Sequence, residues 1–83
     1  MKLICRNDEG EGMQDTHFYA EREDGKRFSV INIGKMMEDI PNKYDGMFLG
    51  WESIEMDSVG DLIHDNQERA ESWEELKKIL LKV

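Results

Sequence analysis

The chain has 83 residues, with 19 aspartates and glutamates against 11 lysines and arginines, a formal net charge of −8. That length makes one domain over residues 1–83 with a modest core, and no run approaches the roughly 18 apolar residues of a membrane span. The charge argues against a nucleic-acid-binding module and an anionic membrane surface, both of which need a basic footprint, and leaves attraction to a basic surface on another protein, or plain solubility.

The opening MKLICRNDEG has one lysine and a four-residue apolar stretch before the first acids, unlike a signal peptide. The single cysteine, Cys5, cannot form an internal disulfide. Together with a methionine-rich composition this fits a reducing cytosol, with Cys5 a buried, inert thiol.

Lys2–Arg6 reads as a short strand with Leu3 and Cys5 on one face. Asn7–Asp15 follows as a solvated, glycine-containing loop. In Thr16–Arg22, Phe18 and Ala20 alternate against His17, Tyr19 and Glu21. Asp24-Gly25 supplies a hairpin turn, and Arg27–Ile31 returns with Phe28 and Val30 facing one way.

Asn32 is placed to cap a helix in which Ile33, Met36, Met37 and Ile40 fall on one face, stopped by Pro41. Asn42–Gly46 reads as a turn and Met47–Met56 as the last and longest strand. In that strand Met47, Leu49 and Trp51 share one phase while Ile54 and Met56 fall in the other. Either a β-bulge near Glu52-Ser53 restores a common face or the strand is buried on both sides at its end.

Beyond it, Val59, Leu62 and Ile63 mark a short helix capped by Asp57 or Ser58. The final helix opens with the capping box Ser72-x-x-Glu75 and buries Trp73, Leu76, Ile79, Leu80 and Val83. Lys77, Lys78 and Lys82 suit the negative end of its dipole. The expected fold is therefore α+β: a mainly antiparallel sheet of about four strands with two or three helices packed on one face.

No catalytic signature is present. The nucleophiles are Cys5 and scattered serines, and the bases are His17 and His64, with no local motif joining them. One cysteine and two distant histidines make no zinc pattern. Asp61-x-x-x-Asp65-x-x-Glu68 lacks the alternate oxygens and central glycine of a calcium loop. The chain reads as a non-enzyme, with no catalytic residues, metal or cofactor.

One feature does ask for a partner. From Tyr44 to Glu68 there are seven carboxylates and no lysine or arginine. Asp57, Asp61 and Asp65 stand four apart. On a helix they would line one edge at about 6 Å intervals, comparable to successive phosphates on a strand. Like charges at that spacing cost a helix a few tenths of a kcal/mol per pair, so stability does not explain them. The plainer reading is that Asp57 and Asp61 favour a helix N-terminus and Asp65 is solvated.

Glu52-Ser53-Ile54, followed by this acidic and apolar segment, resembles the proteinaceous uracil-DNA glycosylase inhibitors of phages and mobile elements. These are small acidic α/β proteins that mimic the DNA backbone. The resemblance implies that Glu52 and Ser53 reach into a glycosylase's DNA-binding cleft while Ile54 helps anchor an edge strand. It differs in order, since most of this chain's sheet precedes the tripeptide.

The expectation is thus a non-catalytic, phage-encoded inhibitor acting in the cytoplasm of a bacterial host. It would occupy the basic cleft of a DNA- or RNA-binding protein, a glycosylase first and a restriction or CRISPR nuclease next. The contact set would be Glu52, Ser53, Ile54, Glu55, Asp57, Asp61 and Asp65. The rival is a structural or regulatory protein–protein module, with homodimerisation through a strand edge as one form of it, whose acids serve only solubility.

Overall fold

A computed structural model of the chain describes residues 2–7, 10–12, 16–38, 40 and 46–83. It contains β1 (Leu3–Asn7), β2 (Gly10–Glu11), β3 (His17–Arg22), β4 (Arg27–Asn32), α1 (Ile33–Met36), β5 (Trp51–Met56), β6 (Leu62–Ala70) and α2 (Trp73–Leu80). The strands form one antiparallel sheet in the order β2-β1-β3-β4-β5-β6.

The β3–β4 hairpin forms where alternation and Asp24-Gly25 place it. Gly25 takes φ +93°, which side chains rarely adopt, and its N–H donates to the Arg22 carbonyl at 2.9 Å. Phe18 pairs with Val30 and Ala20 with Phe28, so both strands send the same phase to one side. Those four residues, with Ala70, Leu76 and Leu80, are the buried core.

Helix α2 lies against that side. Ser72 accepts from the Glu75 backbone N–H at 3.2 Å, the backbone half of the capping box. Trp73 meets Phe18 edge-on at 5.1 Å and Trp51 at 5.7 Å, and Leu76 and Leu80 are fully buried. Val83 instead stays 41% exposed.

The balance of elements corrects the α+β expectation. The fold is mainly sheet, with one helix of eight residues and one of four, where two or three helices were expected to cover a four-stranded sheet. The helix expected around Val59, Leu62 and Ile63 is a hairpin. Asp57 Oδ1 accepts from the N–H groups of Val59 and Asp61, both at 3.0 Å, and Gly60 turns the chain at φ +94°. An aspartate side chain that closes a turn competes with helix, and the chain leaves as β6. At nine residues β6 is the longest strand, and its polar run HDNQER conceals it because an edge strand need not alternate.

The helix after Asn32 is also shorter than its apolar periodicity predicts. Asn32 caps it as expected, accepting from the Lys35 N–H at 3.1 Å, but the helical turn ends at Met36. Met36 and Ile40 are 42% and 45% exposed, so that stripe is not core. The proposed stop at Pro41 and most of the Asn42–Gly46 turn lie outside the described residues, as does much of the Asn7–Asp15 loop. Strand β5 begins at Trp51, and residues 47–49, expected to extend it, are not strand.

Of the two alternatives for this strand, the bulge near Glu52-Ser53 is absent from β5; the register shift lies between Ile54 and Glu55, with its extra residues in β6. Against β4, β5 keeps a regular register from Trp51 to Met56. Against β6, Ile54 faces Gln67 but Glu55 faces Ile63. His64, Asp65 and Asn66 are thus the extra residues, and they bulge from β6. Among the described residues no helix is long and apolar enough to cross a membrane.

Candidate functional site

Regular β5 geometry separates the Glu52-Ser53-Ile54 tripeptide. Successive side chains of a strand point to opposite faces. Ser53 faces the core opposite Val30, is 1% exposed, and its Oγ has no hydrogen-bond partner. Glu52 and Ile54 face the other way, and the Glu52 carboxylate accepts from Arg69 Nε at 2.7 Å.

The remaining acids follow no common surface. Glu55 lies on Ser53's side, 3.7 Å from Lys26 Nζ, with Asn66 Nδ2 donating to it at 3.3 Å. Asp57 is turned inward on its own turn. Asp61 is exposed just before β6, and Asp65 is exposed in the bulge. Pairing across the sheet supplies what the segment lacks in sequence: Arg69 for Glu52 and Lys26 for Glu55. The aspartate row at helical spacing is absent because the segment is a hairpin and a strand.

What the sheet does assemble is its second face, which no described helix covers. Register and alternation bring Ile4 and Arg6 of β1, Tyr19 and Glu21 of β3, Arg27 of β4, and Ile54 and Met56 of β5 to it. Ile4 is 40% and Tyr19 37% exposed. The face mixes apolar bodies with both signs of charge. One corner carries Arg69, whose guanidinium lies 5.5 Å from the Phe48 ring centre.

Across this face, from β1 to β5, lies a concavity of about 350 Å³ bounded by Arg6, Tyr19, Glu21, Arg27 and Met56, with Asn7 and Ala20. Arg6 stands opposite Tyr19, and Arg27 stands opposite both Glu21 and Met56, so the two arginines bracket β3. In sequence Tyr19 and Glu21 read as the polar phase of an amphipathic strand, and Met56 as an apolar residue at the end of the Met47–Met56 strand. The available signal was a tyrosine, Tyr19, among the charges of that polar phase.

His17 Nε2 and Ser29 Oγ share a hydrogen bond of 2.9 Å on the same face, and the His17 and Tyr19 rings meet edge-on at 4.8 Å. Ser29 is 9% exposed, and its strand β4 is paired on both sides, with β3 and with β5. Among the described residues no group of three or more histidine, cysteine, aspartate or glutamate side chains is placed to hold a metal ion. Partial burial raises the Cys5 thiol above its ordinary value, with Lys77 opposing, which disfavours the thiolate a nucleophile needs.

Comparison with protein-family models, curated proteins and solved structures gives no match to this chain.

Proposed function

We propose that the chain is a non-catalytic module that binds another protein on the uncovered face of its sheet. The observation carrying this reading is the joint exposure there of Ile4 and Tyr19 among Arg6, Glu21 and Arg27. Aromatic and arginine side chains beside apolar surface are the composition of protein interfaces. The test is capture from bacterial lysate by the wild-type protein and by Tyr19→Glu and Ile4→Glu variants, with Lys78→Glu on α2 as control. Partners lost with both face variants and kept with the control support the reading. Identical partners in all four overturn it.

A second reading keeps the inhibitor of a basic nucleic-acid-binding cleft, acting in the cytoplasm of a bacterial host. It is favoured by the net charge of −8 and by the exposure of Asp61 and Asp65 beside the outer strand. Carboxylates there would take the place of phosphates. Gel-shift rescue tests it: release of DNA from a glycosylase or defence nuclease by wild-type protein, with loss above about 0.5 M salt. Full inhibition by an Asp61→Asn, Asp65→Asn double variant would sink the mimic.

A further inference from the structure

Of the chain's four arginines, three have carboxylate partners. Arg6 Nη2 lies 3.8 Å from Glu21, Arg22 Nη2 lies 2.6 Å from Asp24, and Arg69 Nε lies 2.7 Å from Glu52. Arg27 has no ion pair among the described residues, in a chain with 19 acids. Its Nη2 donates instead to the backbone carbonyls of Asp57 and Ser58, both at 3.1 Å. The β5–β6 turn therefore holds the guanidinium at the rim of the concavity without neutralising it. Across the same concavity, Arg6 has a 52% exposed side chain and a long, weak pair.

Tyr19, Ala20 and Met56 give the lining an aromatic and apolar part, beside the polar Asn7 and the charged Glu21. Met56 pairs with Arg27 across the strands, and Tyr19 stands opposite Arg6. A planar guanidinium with free donors recognises a carboxylate by two parallel hydrogen bonds, and a methionine wall adapts to an apolar neighbour. The volume of about 350 Å³ suits one or two side chains. The chain's overall negative charge does not forbid an acidic ligand here. Exposed charges more than about 8 Å away are largely screened at physiological salt, and the lining itself carries two arginines against one glutamate.

We infer that this concavity is an anchor site for a carboxylate side chain, carried beside a bulky apolar side chain on the partner protein. Arg27 receives the carboxylate, Arg6 completes the positive rim, and Tyr19 and Met56 receive the apolar neighbour. This rests on the protein-binding reading and names what the partner presents.

The test is a nuclear magnetic resonance titration of the full chain with acetyl-Phe-Glu-amide, with acetyl-Phe-Gln-amide and benzoate as comparisons. Shifts confined to Tyr19, Glu21, Arg27 and Met56 are expected with the glutamate peptide. Binding weakens about tenfold with the glutamine peptide and with Arg27→Gln, as loss of a charge-assisted pair predicts. Because Arg27 also steadies the turn, Arg6→Gln serves as the second variant, and it too weakens the glutamate peptide selectively. Equal affinity for both peptides, or no localised shift, overturns the anchor. Response to benzoate alone overturns it in favour of a small-molecule site. In each case the lysate experiment with Tyr19→Glu and Ile4→Glu still decides the broader reading.

Discussion

Arg22 Nη1 donates to the backbone carbonyl of Leu80 at 2.9 Å, tying the β3–β4 hairpin to the end of α2 across 58 positions of sequence. The same nitrogen also donates to the Val83 carbonyl. The other edge of the guanidinium grips Asp24, Nε to Oδ1 at 2.9 Å and Nη2 to Oδ2 at 2.6 Å. Carbonyls at a helix end have no intrahelical donor, so a buried arginine that reaches them substitutes for a C-cap. Arg22 is 7% exposed, and the clamp sets where α2 ends on the sheet.

Removing that clamp is expected to be costly. Arg22→Ala leaves the helix-end carbonyls without their side-chain donor and Asp24 with only the Lys26 N–H, and is predicted to cost about 2–4 kcal/mol. Arg22→Lys keeps the charge but cannot fork between carboxylate and carbonyls, so it recovers only part of the loss. Urea denaturation with the midpoint compared at constant m-value checks both.

Acid should loosen the same corner. Hydrogen bonds from Arg22, then from the Lys26 backbone N–H, hold the Asp24 carboxyl down at about 2. A carboxyl depressed in the folded state adds stability that is present above its ordinary value near 4. That stability is lost as pH falls toward 2. Stability measured from pH 5 to pH 2 should therefore decline, and Asp24→Asn should flatten this part of the decline while lowering stability at pH 5.

Ser53 offers the opposite case. Its hydroxyl is buried with no partner, and a buried polar group without a hydrogen bond costs about 1–3 kcal/mol. Ser53→Ala is expected to be neutral or to stabilise by up to about 1 kcal/mol. A clear loss of stability, read by thermal melting, would contradict an unsatisfied hydroxyl at this position.

Gly34 separates propensity from packing. Alanine normally favours a helix over glycine by about 1 kcal/mol. At Gly34, however, an added Cβ would lie 2.4 Å from the Leu49 carbonyl oxygen, a backbone atom that cannot swing aside. Gly34→Ala is therefore expected to destabilise by about 1–3 kcal/mol, with the displacement registered in the Leu49 and Gly50 amide signals.

Local rules were enough for much of this molecule. Strict alternation in Thr16–Arg22 and Arg27–Ile31, with a glycine where φ must be positive, placed the β3–β4 hairpin and its buried Phe18, Ala20, Phe28 and Val30. Ser72 and the stripe of Trp73, Leu76 and Leu80 placed α2. These signals are legible because they involve neighbours in sequence or one apolar face against one core. The chain's acidity was equally plain in the sequence. Which carboxylates are exposed, and which are matched by cations, was not.

Three things waited for the tertiary structure. The hairpin at Asp57–Asp61 and polar β6 depend on β5 supplying a pairing edge, and no local periodicity encodes a partner strand. The regular register of β5 against β4 then decided that Ser53 is core while Glu52 meets Arg69, since a one-residue difference in a strand reverses the face. Finally, Arg6, Tyr19, Arg27 and Met56 come from four strands, and only their antiparallel order brings them around one concavity. The sequence determined the charge, the first hairpin and the last helix, because those are set by composition and short-range geometry. Sheet pairing decided where the charge is neutralised and which arginine has no ion pair among the described residues, because that depends on residues far apart in the chain.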